Sequence, residues 1–219
     1  MTIEVRKPAA QEIFAERKPV KDLGKAELVT TLRPEEGFTM IRGGKGYTIA
    51  DIEALPEGER AELIDGELFR MDAPMRTHQK ILMKLAFEIE FYIRRQRGSC
   101  EVYPAPFAVY IKNDRHNYVE PDISVTCDRD KLDEKGCHSA PDWVIEIVSP
   151  SSAKMDYAYK VKLYREAGVR EYWIVDAEKE TVTVYDFAHG KEAAVYHFTD
   201  QIKAGIFEEL YLNLSQMDI

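Results

Sequence analysis

Apolar residues in this chain fall into short runs with two spacings, and the changes between those spacings mark out its elements. Across residues 77–96, Ile81, Leu82, Leu85, Ile89, Tyr92 and Ile93 recur at helical intervals, predicting a long helix that Gly98 stops. Ahead of it, Glu62-Leu63-Ile64-Asp65-Gly66-Glu67-Leu68-Phe69 places an Asp-Gly pair between two alternating arms, the signature of a tight hairpin. Strands are expected at 100–103, 107–112, 122–126 and 143–148, then a helix over about 156–167 that buries Tyr157, Val161 and Tyr164 and ends at Gly168. An apolar strand at 171–176 and a hairpin pairing 181–186 with 193–198 complete the pattern.

Strand, helix and strand joined by short loops make a crossover unit. The whole order predicts an α/β (α+β) domain, with a mixed central sheet flanked by helices and a hairpin towards each end. It begins at Tyr47, where Thr48 is placed to cap a short helix running towards Leu55. Residues 1–46 read as an arm or linker: they carry Pro8, Pro19 and Pro34, allow at most a short helix around 11–28, and end in Gly43-Gly44-Lys45-Gly46. That glycine cluster is not a phosphate loop, because Lys45 is followed by glycine rather than Ser or Thr. Residues 47–219 are the folded domain.

Composition narrows the function classes. At 219 residues the chain suits one domain with one full core. It has no apolar run of the roughly 18 residues that a membrane span needs, and its first residues lack the apolar stretch of a secretory signal, so a cytoplasmic protein without membrane contact is expected. Three cysteines, Cys100, Cys127 and Cys137, are odd in number and lack a C-x-x-C pair, which predicts reduced thiols. Cys127, Cys137 and His138 have no convincing fourth partner for a zinc site.

A net charge of −9 argues against a nucleic-acid binder held by overall field. Basic residues nevertheless cluster, six against two acids over 76–97 and five against two over 154–170. Two basic helices could thus present a local phosphate-binding surface, with Lys80, Lys84, Lys154 and Lys162 as its candidate contacts. His78 is a further candidate from the first turn of the long helix, a position where a lone histidine is commonly a surface or capping residue.

The candidate chemistry centres on Glu146. It interrupts the apolar run Trp143-Val144-Ile145-Glu146-Ile147-Val148, and its own face of that strand carries Val144 and Val148, so that face is expected to be covered. A carboxylate there needs a cation or hydrogen-bond donors. Pro121-Asp122-Ile123-Ser124-Val125 offers a second acid at the start of a strand, and two acids on neighbouring strands could share a divalent cation. Asp156, Lys160 and Tyr164 recur every four residues, on one face of the following helix. Taken alone, Asp156 and Lys160 would be an ordinary exposed ion pair. Two acids and a lysine converging from strand, strand and helix suggest metal-assisted attack on a phosphate ester.

These motifs together resemble the PD-(D/E)XK nuclease superfamily, with its restriction-endonuclease-like fold, and within it the Uma-type restriction endonuclease family. The resemblance rests on residues 62–68, His78, residues 121–125 and 143–151, Asp156 with Lys160 and Tyr164, and Gly168-Val169-Arg170-Glu171-Tyr172-Trp173-Ile174-Val175-Asp176, and spans Tyr47 to the C-terminus. It implies a metal-dependent endonuclease acting on nucleic acid, DNA above all, with Mg2+ or Mn2+ held by Asp122 and Glu146. The lysine that the superfamily places two residues after the glutamate is replaced here by Val148, and Lys160 is similar to a migrated substitute. Its ammonium would orient the attacking water and offset charge on the phosphorane. Glu62 is implied as a further site acid.

Two other readings compete. One is a nuclease-fold module that binds nucleic acid or protein with weak or no catalysis, favoured by the acidic charge. The other is a two-carboxylate glycoside hydrolase, opposed by Lys160, which would depress the raised pKa of a general acid. A homodimer is also expected, from the resemblance and from a C-terminal hairpin rich in apolar residues: Val182, Val184, Tyr185, Ala194, Val195, Tyr196 and Phe198.

Overall fold

The structure, a computed structural model, describes residues 46–217 and, ahead of them, the backbone of two short strands, β1 (Val29–Leu32) and β2 (Thr39–Arg42). Helix α1 (Ile49–Glu53) follows, and Thr48 and Asp51 form a reciprocal capping box at its start. The Asp-Gly turn joins β3 (Ala61–Ile64) to β4 (Glu67–Arg70), with positive φ at both Asp65 (49°) and Gly66 (79°), as a tight hairpin between twisted strands requires. The four strands form one sheet in the order β1-β2-β4-β3. Part of the segment expected as an arm is therefore paired, consistent with β-branched Val29, Thr30, Thr31, Thr39 and Ile41. The helix expected around 11–28 lies outside the described residues.

Helix α2 (Arg76–Gln96) carries Ile81, Leu82, Leu85, Ile89 and Ile93 on its buried side. Strands β5 (Glu101–Pro104) and β6 (Ile123–Thr126) come next, then the two-residue strands β7 (Leu132–Asp133) and β8 (Gly136–Cys137), and β9 (Trp143–Ile147). Residues Met155–Lys160 wind as a π-helix that passes directly into α3 (Val161–Ala167), and β10 (Glu171–Asp176) returns parallel to β9. The chain closes with β11 (Thr181–Asp186), β12 (Ala194–His197), β13 (Ile202–Lys203) and β14 (Tyr211–Leu212). The central sheet has the order β12-β11-β10-β9-β6-β5 and is parallel only between β9 and β10. Alternation splits β9 between two cores: Trp143, Ile145 and Ile147 pack with α2, whereas Val144 packs with Leu163 and Tyr164 of α3. No helix among the described residues is long and apolar enough to cross a membrane.

Four expectations are corrected. Residues 107–112 are not a strand, because Val109 makes only isolated bridges to Val119 and Cys137 before the chain turns at Asn113, where φ is 50°. The helix expected over 156–167 is α-helical only from Val161. The thiols are not all reduced: Cys100 and Cys127 form a disulfide, and only Cys137 is free and buried. The register that pairs Glu101 with Thr126 sets these two cysteines opposite one another just beyond the ends of β5 and β6. Finally, the C-terminal hairpin does not offer its apolar residues to a partner. Val182, Val184 and Phe198 are buried in the domain's own core and Tyr196 packs against it, so that of the seven residues named only Val195 is largely exposed.

Candidate active site

Glu146 owes its position to β9, which holds it between β6 and β10 with its side chain under the π-turn and α3. The residue is only 4% exposed. Its Oε1 accepts hydrogen bonds from Lys160 Nζ at 2.8 Å and from the Tyr164 hydroxyl at 2.6 Å. The other oxygen, Oε2, accepts from the Asp122 backbone N–H at 3.3 Å. Both strong donors thus serve one oxygen and leave the second turned towards Asp122.

Asp122 stands immediately before β6, and its Oδ2 accepts from the backbone N–H of Ile147 at 2.7 Å. The same oxygen is in hydrogen-bond contact with His78 Nε2 at 3.0 Å. His78 Nδ1 is buried with no partner among the described residues. Glu62, from the hairpin strand β3, takes Lys160 Nζ on both oxygens, at 3.0 and 2.9 Å, and the backbone N–H of Glu120 at 3.1 Å. Asp156 completes the group, with Oδ1 3.8 Å from Lys160 Nζ.

Three acids, Glu62, Glu146 and Asp156, therefore face one buried ammonium, and Asp122 adjoins Glu146 on the side away from it. Burial pushes the Glu146 carboxyl up; Lys160 pulls it back down, and Asp122, Asp156 and Glu62 push it up again. Burial would lower Lys160, but Glu146, Glu62 and Asp156 outweigh it and hold the ammonium charged, well above its ordinary range. Burial and then the neighbouring Glu146 and Glu62 likewise keep Tyr164 protonated, so it stays a donor. The negative excess faces a cavity of about 600 Å³, whose wall also includes Arg60, Arg70, Met75 and Ser149.

The structure brings together Glu62, Asp122, Glu146 and Lys160, and adds His78, which contacts Asp122 directly. It does not bring Lys80, Lys84, Lys154 or Lys162 to the cavity wall. Lys162 points outward to Glu166 at 3.7 Å. The guanidinium groups on the wall are those of Arg60, hydrogen-bonded to Glu120, and Arg70, 2.6 Å from Glu59. Sequence reasoning missed Arg60 and Glu120; the acid immediately before Pro121-Asp122 was the available signal.

Among the described residues no group of three or more His, Cys, Asp or Glu side chains could hold a metal ion by itself. A closed protein cage of the zinc type is thus absent there. Magnesium makes a weaker demand, since it keeps several waters and is held by one or two carboxylates together with substrate phosphate. Asp122 and the Oε2 side of Glu146 fit that demand.

Residues 49–215 match the Uma2 family, described as "Putative restriction endonuclease". An uncharacterized protein of Synechocystis sp. is 28% identical over 128 residues, covering 58% of this chain and 66% of that protein. A solved structure of a putative nuclease of the DUF820 group from Anabaena variabilis superposes with a TM-score of 0.64 at 24% identity, covering 78% of this chain and 96% of that one. At that identity the likeness speaks for the fold.

Proposed function

The chain belongs to the Uma2 family, and on that premise we propose that it hydrolyses phosphodiester bonds in nucleic acid, DNA above all, with a divalent cation, Mg2+ or Mn2+, at Asp122 and Glu146. One observation carries the reading: Lys160, from a helical turn, lies 2.8 Å from Glu146, whose other oxygen meets the Asp122 backbone at 3.3 Å. Acid, acid and lysine thus converge although the lysine is not on the strand.

When bound, the cation would supply Lewis-acid polarisation of a phosphate oxygen and a water acidic enough to attack phosphorus. The chain's own residues do the rest. His78 and the Ile147 N–H fix Asp122 through Oδ2. Tyr164 and Lys160 fix Glu146 through Oε1. An ammonium has three donors, and Lys160 commits them in the resting site to Glu146 and Glu62, so it would act on water only with one of those contacts released. Glu62 would then serve as its resting counter-charge.

The test is digestion of plasmid and oligonucleotides across a Mg2+ and Mn2+ titration, comparing wild type with Glu146→Gln. Metal-dependent cleavage by wild type alone is expected. Retention of nucleic acid without cleavage at any metal concentration would instead favour the binding module, a reading that the engagement of Lys160 by two acids supports.

A further inference from the structure

The outer face of α2 is not dressed as a solvated helix. Met83, Phe87 and Phe91 succeed one another at four-residue intervals, on the side opposite Ile81, Leu85, Ile89 and Ile93, and are 67%, 60% and 48% exposed. The two phenylalanine rings stack with centroids 5.9 Å apart, and the Arg95 guanidinium lies 5.9 Å from the Phe91 ring centre. Scattered apolar residues are normal on a surface, but a continuous stripe of large ones along two helical turns marks a contact surface.

We propose that this face is where a second copy of the chain docks, α2 against α2 and antiparallel about a two-fold axis at Phe87. A two-fold interface must complement itself, and the charges beside the stripe do so. With Phe87 opposite its own copy, Met83 falls opposite Phe91 and Lys84 falls opposite Glu90, twice over. Lys84 makes no ion pair among the described residues, and Glu90 has only a loose one, 3.9 Å from Arg94. The same register sets Lys80 against Arg94 near the ends of the contact, where exposed like charges cost little. Basic residues beside the rings, Lys84, Arg94 and Arg95, would also attract a nucleic-acid strand, but Glu88 and Glu90 interrupt them, and only a second copy gives Glu90 a partner in Lys84. This interface lies on α2, not on the C-terminal hairpin, and is independent of the chemistry proposed above.

Light scattering of the full chain over a range of micromolar concentrations should give twice 25.2 kDa. Phe87→Glu, checked for an unchanged circular dichroism spectrum and melting point, should weaken the dimer about thirtyfold or more, as loss of a buried aromatic anchor does. Lys84→Glu and Glu90→Lys should each weaken it, and the double variant should recover the wild-type mass, a rescue that no contact within one chain would produce. A monomeric wild type overturns the proposal, as does a dimer indifferent to Phe87→Glu. Loss of oligonucleotide retention in Phe87→Glu, from a wild type that is itself monomeric, overturns it in favour of nucleic acid.

Discussion

Glu62 and Lys160 are 98 residues apart in the chain and 3.0 Å apart in the folded protein. The contact joins the N-terminal hairpin to the turn that follows β9, so the hairpin forms one wall of the site. It also leaves Lys160 as the common counter-ion of Glu62, Glu146 and Asp156.

Lys160→Met should therefore destabilise the fold as well as stop chemistry. Removing one partner of a buried charge group costs about 3–5 kcal/mol, and Lys160 is 4% exposed. Urea unfolding should show that loss, and added Mg2+ should restore part of it by replacing the missing charge. A variant as stable as wild type, with or without Mg2+, contradicts this account.

Glu146→Gln keeps the side chain's shape and lets Lys160 remain on Glu62, so the fold should persist. Its neutral amide is a poor ligand for a hard cation. Calorimetric titration with Mn2+ should show binding to wild type and a loss of about tenfold or more in the variant; equal affinities would remove Glu146 from the metal site.

Tyr164→Phe deletes the hydroxyl that donates to Glu146 at 2.6 Å while leaving the ring against Tyr172. A hydrogen bond to a charged group is worth about 1.5–3 kcal/mol. Unfolding free energy should fall by that order, and cleavage should weaken with it because Glu146 loses one of its two orienting donors. An activity loss with unchanged stability would give the hydroxyl a direct catalytic role instead.

The pH dependence follows from Asp156, whose carboxyl burial raises from 3.8 to about 7 against the pull of Lys160. The folded chain holds this proton more tightly than the unfolded one. Its contribution to stability is therefore complete below the unfolded value of 3.8 and is lost as pH rises through about 7. Measured without divalent ions, wild type should lose stability relative to Asp156→Asn over that window. A constant difference between the two proteins would show that Asp156 does not titrate there.

Much of this arrangement was legible because local rules and tertiary demands agreed. The Asp65-Gly66 turn, the buried stripe of α2 and the lone acid of β9 each announce themselves within a few residues. The Lys160 contact was approachable because four-residue spacing puts Asp156, Lys160 and Tyr164 together. What escaped were facts of register and winding. The Cys100–Cys127 bond depends on how β5 meets β6, the His78–Asp122 contact spans 44 residues, and the π-helical turn has no compositional signature. Residues 107–112 misled by alternating like a strand, although Val109 meets two different neighbours there and no ladder forms.

The bond from Ile147 N–H to Asp122 Oδ2 bears on how such a site must be dissected. The β6–β9 ladder has its end pair at Ile123 and Ile145, and past that point the aspartate side chain acts as the next rung, accepting where a backbone carbonyl otherwise would. Truncating Asp122 to alanine would unzip the sheet's end and leave a buried amide wanting an acceptor. An alanine scan would then record a folding defect as a catalytic one. Asparagine preserves the rung and removes only the charge, so Asp122→Asn is the substitution that asks the chemical question alone.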